Sequence, residues 1–161
     1  MIGIGTTSRS FLVDLQLETV SFDSPSVSSY LTILQTVIGR MATNSASCKT
    51  WCVSLTSAIV VIIADKGKPS YVWIAAIPIV LFLLLDAYYL ALERHFRSVY
   101  NSFIRKLHSG KATVEDIFFV APRSGVAATS GEIAKAGGSI SVWPFYTLLA
   151  LMLVVVRAWI L

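Results

Sequence analysis

Charge is what this sequence has least of. Only 14% of its 161 residues are Asp, Glu, Lys or Arg, against 55% hydrophobic residues, and the mean hydropathy is +0.72. Soluble globular domains carry about 25% charged residues, so this balance excludes an ordinary water-facing domain and places the chain in the membrane class. Cysteine and histidine are sparse too, with two of each. Cys48 and Cys52 stand four residues apart with no histidine beside them, which excludes a zinc-binding pattern. They are expected to be reduced, small apolar packing residues on the cytoplasmic side. His95 and His108 lie in a basic stretch that offers no nucleophile and no orienting acid. An intramembrane protease would need paired catalytic groups inside the bilayer, and only Asp86 qualifies. Gly125, Gly131, Gly137 and Gly138 lack the strand–loop–helix setting of a phosphate loop. No catalytic residue, metal or cofactor is therefore expected, and the chain does not read as an enzyme. The amino-terminal residues lack the apolar core and small-residue cleavage site of a secretory signal, so insertion by internal helices is expected.

Long apolar runs are what the sequence has instead. Tyr71–Leu92 reads YVWIAAIPIVLFLLLDAYYLAL and passes without a break into ERHFRSVYNSFIRKL. A run of this length suits a bilayer of about 30 Å hydrocarbon thickness. Trp51–Ala64 (WCVSLTSAIVVIIA) is a second candidate. At ~1.5 Å per residue it covers only about 21 Å and must borrow from its flanks. It becomes adequate if the helix continues unbroken from the preceding segment, where Leu31, Leu34, Ile38, Met41, Ser45 and Cys48 follow a three–four spacing on one face. The turn-forming Asp65–Ser70 link returns the chain antiparallel, and Pro78 can kink the returning helix. Val142–Leu161 is a third candidate span.

The expected fold is an all-α membrane protein with three transmembrane helices, a helical hairpin plus a carboxy-terminal span, preceded by an amphipathic helix. Four segments follow: a tail over 1–26, the amphipathic helix, hairpin and cytoplasmic exit helix over 27–107, a cytoplasmic connector over 108–141, and the third span over 142–161. Alternation over Phe11–Thr19 fits either a short β segment or a frayed tail, and a strand there needs a partner such as Ile117–Val120 or a second subunit. Thr113 with Asp116 matches a capping box, whereas the Gly, Ser and Ala content beyond Pro122 argues for a mobile connector.

Basic residues set the orientation. Arg9, Arg40 and Lys49 precede the first span and Arg94, Arg97, Arg105, Lys106 and Lys111 follow the second, whereas the hairpin tip carries Lys66 and Lys68. The amino end and connector are thus expected on the cytoplasmic side. The net charge of +4, gathered beside the spans, suits anionic headgroups rather than nucleic acid. Lys49, Trp51, Trp143 and Trp159 are the expected interface anchors.

On a helix, Asp86, Glu93, Arg97 and Tyr100 fall within one narrow face. This polar stripe is either a contact between helices or subunits or a solvated exit from the bilayer. Asp86 lies among leucine and alanine, where an unpaired carboxylate costs on the order of 3 kcal/mol at full depth. It needs a partner, either Lys49 or a residue of a second subunit.

The blocks LQTVIGRMATNSASCKTWCVSL (Leu34–Leu55) and LLLDAYYLALERHFRSVYNSF (Leu83–Phe103) resemble a group of small bacterial multi-span membrane proteins. In these, an R-M-x-x-N-S-x-x-x-K approach leads into the first span and an L-D-x-Y-[YF]-L-x-x-E-R-x-F-R-x-x-Y exit leaves the second. The matching positions are Arg40, Met41, Asn44, Ser45 and Lys49, then Asp86, Tyr88, Tyr89, Leu90, Glu93, Arg94, Phe96, Arg97 and Tyr100. The group resembles the membrane effectors of bacterial antiphage systems. That resemblance implies a homo-oligomer in the bacterial inner membrane that permeabilises the bilayer and responds to a cytosolic protein or signalling ligand. The alternative is a membrane anchor or scaffold that docks a cytosolic partner.

Overall fold

A computed structural model describes residues 20–67, 71–118 and 130–160. Its elements, in chain order, are helix α1 (Pro25–Lys66), helix α2 (Val72–His108), a single 3₁₀ turn (Val114–Asp116), the short helix α3 (Ser130–Gly137) and helix α4 (Trp143–Ile160). No strand occurs among the described residues, and the fold is all-α. Phe11–Thr19 lies outside the described residues. Its suggested partner does not continue as a strand where it can be seen: Ile117 is extended, at φ −83° and ψ 137°, but Phe118 turns left-handed at φ 63°. A left-handed bulky residue breaks the pleat that a strand requires.

Helix α1 begins one turn after Ser21. The Ser24 carbonyl accepts from the Val27 and Ser28 amides, and Pro25 takes the first helical position, where its missing N–H costs nothing. The helix then runs 42 residues without interruption, about 63 Å at 1.5 Å per residue, so the short apolar run at Trp51–Ala64 does borrow its length from its flanks. Four hydroxyls of this helix satisfy themselves locally. Thr32, Thr36, Thr50 and Ser54 each donate to the carbonyl four residues back. Helix α2 is 37 residues long and passes through Pro78 as one helix. Both contain 18-residue windows apolar enough to cross a membrane, with mean hydropathy 1.7 in α1 and 2.2 in α2.

The chain forms two compact units. The first comprises Met1–Ile38 and His95–Ser124. Its core joins Val27, Tyr30 and Leu34 to Phe103, Leu107 and Ala112, with Tyr30 edge-on to Phe103 at 4.9 Å. The Val20 amide donates to the Ala112 carbonyl and ties the segment before α1 to the end of α2. Lys106 lies 2.5 Å from the Asp116 carboxylate, which also accepts from the backbone and hydroxyl of Thr113, so the capping box predicted at Thr113–Asp116 forms.

This turn makes a pH prediction. Burial alone raises the Asp116 carboxyl, but the Lys106 ammonium and the Thr113 donors outweigh it and hold the group below its ordinary 3.8. A depressed folded-state value means that the carboxylate's contribution is present above the unfolded value and is lost as pH falls through the folded one. The Thr113 amide resonance is expected to shift in acid with a midpoint below 3.8, and Asp116→Asn is expected to abolish that titration.

The second unit comprises Gly39–Arg94 and Gly125–Leu161. Cys52, Ile63, Val72, Ala75, Ile79, Val142, Tyr146, Leu149 and Leu153 form its main core, drawn from α1, α2 and α4. Outward faces are apolar as well, with Val61 at 68% exposure, Ile77 at 64% and Leu148 at 69%. Residues 130–137 are helical where a mobile connector was expected. The reason is size: Ala136 is fully buried against Ala87 and Ala91, and a Cβ placed on Gly137 would meet that of Ala87 at 3.8 Å. Small side chains let α3 sit close on α2, a packing that composition alone presents as flexibility.

Candidate functional site: a buried ion pair in the second unit

Asp86 is the centre of the site. Its side chain is 0% exposed, with Ala87 and Ala91 along the same helix also buried. The Lys49 ammonium lies 2.6 Å from Oδ2, and the Ser45 hydroxyl donates to Oδ1. Lys49 also donates to Ser45 Oγ at 3.4 Å, so cation, hydroxyl and carboxylate close a triangle between α1 and α2. One turn separates Ser45 from Lys49, which presents both to the same point on the facing helix. Of the two partners the sequence offered Asp86, Lys49 is the one in place, turned inward with 22% of its side chain exposed.

A third helix reaches the pair. Tyr146 of α4 is buried, donates to the Phe82 carbonyl at 3.1 Å and stands within electrostatic reach of the Asp86 carboxylate. Cys48 and Cys52 are free thiols beside the same seam, and the Cys52 thiol points to the Pro78 carbonyl at 3.9 Å. Thr56, also fully buried, continues the line. The α1 face therefore carries Ser45, Cys48, Cys52 and Thr56 in succession, small and weakly polar, against α2. Sequence reasoning stopped this stripe at Cys48; the same three–four spacing continued to Thr56 and was the available signal. Of the hydroxyls Ser54, Thr56 and Ser57, only Thr56 faces inward.

The other members of the predicted polar stripe part company with Asp86. Glu93 is half-buried and Arg97 exposed, each with an interaction of its own. Tyr100 belongs to the first unit, where its hydroxyl accepts from the Gln35 amide at 3.2 Å. Arg94, which the sequence placed only among the orienting basic residues and the matched motif positions, donates to Ser139 Oγ at 2.7 Å and ties α2 to the turn before α4. Of the expected anchors, Trp51, Trp143 and Trp159 are exposed, the last at 88%.

What this arrangement can do is hold two helices in one relative position. The carboxylate takes the Lys49 cation on one oxygen and the Ser45 hydroxyl on the other, and both of these partners come from α1. Comparison with known protein families, with curated proteins and with solved structures gives no match for this chain.

Proposed function

We propose that this chain is an oligomeric protein of the bacterial inner membrane, crossing it three times with its amino end in the cytoplasm, that permeabilises the bilayer in antiphage defence. The observation that carries this reading is the Lys49–Asp86 pair, whose carboxylate is fully buried inside a unit whose outer faces are aliphatic. Ionisable side chains at such depth are costly and are retained where they gate or couple. The defence role rests on the resemblance of the Arg40–Lys49 and Asp86–Tyr100 blocks to small bacterial membrane effectors. In this scheme the pair latches α1 to α2 at rest, and its rupture frees the helices to associate between subunits and open a leak.

Phage infection of bacteria expressing the chain should depolarise the membrane, read with a potential-sensitive dye beside uninfected expressing cells. Unchanged potential and growth in both conditions would overturn the effector reading. Topology has its own check: a Lys66→Cys variant should react with an impermeant maleimide added to intact cells, and protection there would reverse the orientation.

A second reading is favoured by a cleft of about 210 Å³ in the first unit, lined by Tyr30, Ser98, Ser102, Phe103, Lys106 and Asp116. A mixed polar and aromatic cleft of this size, below the ~300 Å³ of compact-ligand pockets, suits the side chains of a docking cytosolic protein. In that case the chain serves as an anchor, and affinity capture from solubilised membranes should return one stoichiometric cytosolic partner. Recovery of the chain alone would count against it.

A further inference from the structure

In the second unit, α2 and α4 do not close completely against each other. Val72, Ala76 and Ile79 of α2 face Ala150, Leu153 and Val154 of α4 across an open groove of about 230 Å³, and its walls are almost wholly apolar. The groove is smaller than the ~300 Å³ at which pockets for compact ligands begin, and it lies along two helices, which suits a linear chain. One end is different. Trp73 and Arg157 line it, and the Arg157 guanidinium sits over the Trp73 ring at 5.5 Å. That contact occupies one face of the cation and leaves its in-plane N–H donors, the geometry that receives two phosphate oxygens at once. Tryptophan beside arginine is also the pairing found where a helix meets the headgroup layer.

We propose that this groove binds one anionic phospholipid, with an acyl chain along the apolar walls and the phosphodiester on Arg157. Charge complementarity selects the occupant: a zwitterionic lipid brings its own cation to the phosphate, whereas phosphatidylglycerol brings none. The inference rests on the membrane reading above and adds to it a specific lipid. Trp73 holds the guanidinium toward the headgroup, and Ala76 and Ala150 supply the room that larger side chains would fill.

The test is native mass spectrometry of the full chain in detergent with equimolar phosphatidylglycerol and phosphatidylcholine of identical acyl chains. The expected result is a single lipid adduct with about five-fold preference for phosphatidylglycerol, the scale set by one basic side chain at an anionic surface. Arg157→Gln should bring the two lipids to parity, and Ala150→Leu should remove the adduct while leaving Arg157 in place. Excess inorganic phosphate should not displace the lipid, since it lacks the chain. Equal binding of both lipids by the parent, or a preference that survives Arg157→Gln, overturns the proposal. Carbonate extraction of cell membranes separates the two failures: release into the supernatant refutes the membrane reading and this inference together, whereas retention with no lipid preference refutes only the site.

Discussion

Asp86→Ala is expected to destabilise the second unit by about 3–5 kcal/mol, the cost of removing one partner of a buried ion pair and leaving the other charged among apolar groups. Without the carboxylate, Lys49 keeps only the Ser45 hydroxyl of its two partners in this site, and most of its side chain stays buried. Thermal loss of helicity in detergent micelles should therefore begin at lower temperature in the variant. The double replacement Lys49→Met with Asp86→Leu is expected to recover most or all of that loss, because hydrophobic substitutes for a buried pair are often neutral or better. The two variants should differ in cells as well. With the latch gone, the single variant is expected to depolarise the membrane without a trigger, whereas the double variant is expected to be stable and silent. Wild-type behaviour in both would mean that the pair has no part in gating.

Phe103→Ala is expected to cost the first unit about 3–5 kcal/mol, through lost burial and the cavity that remains. Phe103 is 4% exposed and meets Tyr30 edge-on, with Leu34 and Leu107 completing the layer. The Lys106–Asp116 ion pair of this unit is partly exposed and worth little against that cavity. Limited proteolysis should cut the variant within Lys106–Phe118 while the apolar helices of the second unit stay protected. A cleavage pattern identical to the parent's would show that Phe103 is not the keystone of this core.

Much of the architecture was legible because its signals are long. Apolar runs at Trp51–Ala64 and Tyr71–Leu92 and the turn-forming link between them specify an antiparallel pair whatever the tertiary context. Asp86 was legible as an acid in need of a partner because its neighbours are all apolar. Lys49 was harder, since a lysine at the end of an apolar run can equally well reach outward; only the facing helix decides the direction. Tyr146 was not legible at all. An aromatic in the first turn of a span reads as an interface anchor, and its hydrogen bond to the Phe82 carbonyl depends on which helix lies beside it. The helix over 130–137 was hidden for a similar reason. Ala and Gly in SGEIAKAG favour close approach only if a small-residue surface waits opposite, and Ala87 and Ala91 supply that surface. The stripe from Asp86 to Tyr100 is real as a helical face, but distance along the helix outruns it: Asp86 and Tyr100 are 14 residues apart, about 21 Å at 1.5 Å per residue, and answer to different neighbours.

The triangle of Ser45, Lys49 and Asp86 gives α1 a preferred direction of travel. Sliding α1 by one turn, ~5.4 Å, replaces each contact by the residue four positions along. Slid one way, Lys49 takes the place of Ser45 and Val53 that of Lys49, so the carboxylate still meets its cation. Slid the other way, Met41 and Ser45 arrive, and the carboxylate faces a thioether and a hydroxyl with no positive charge near. Position 49 therefore makes the register of the pair directional: one shift keeps a cation at Asp86, and the opposite one removes it.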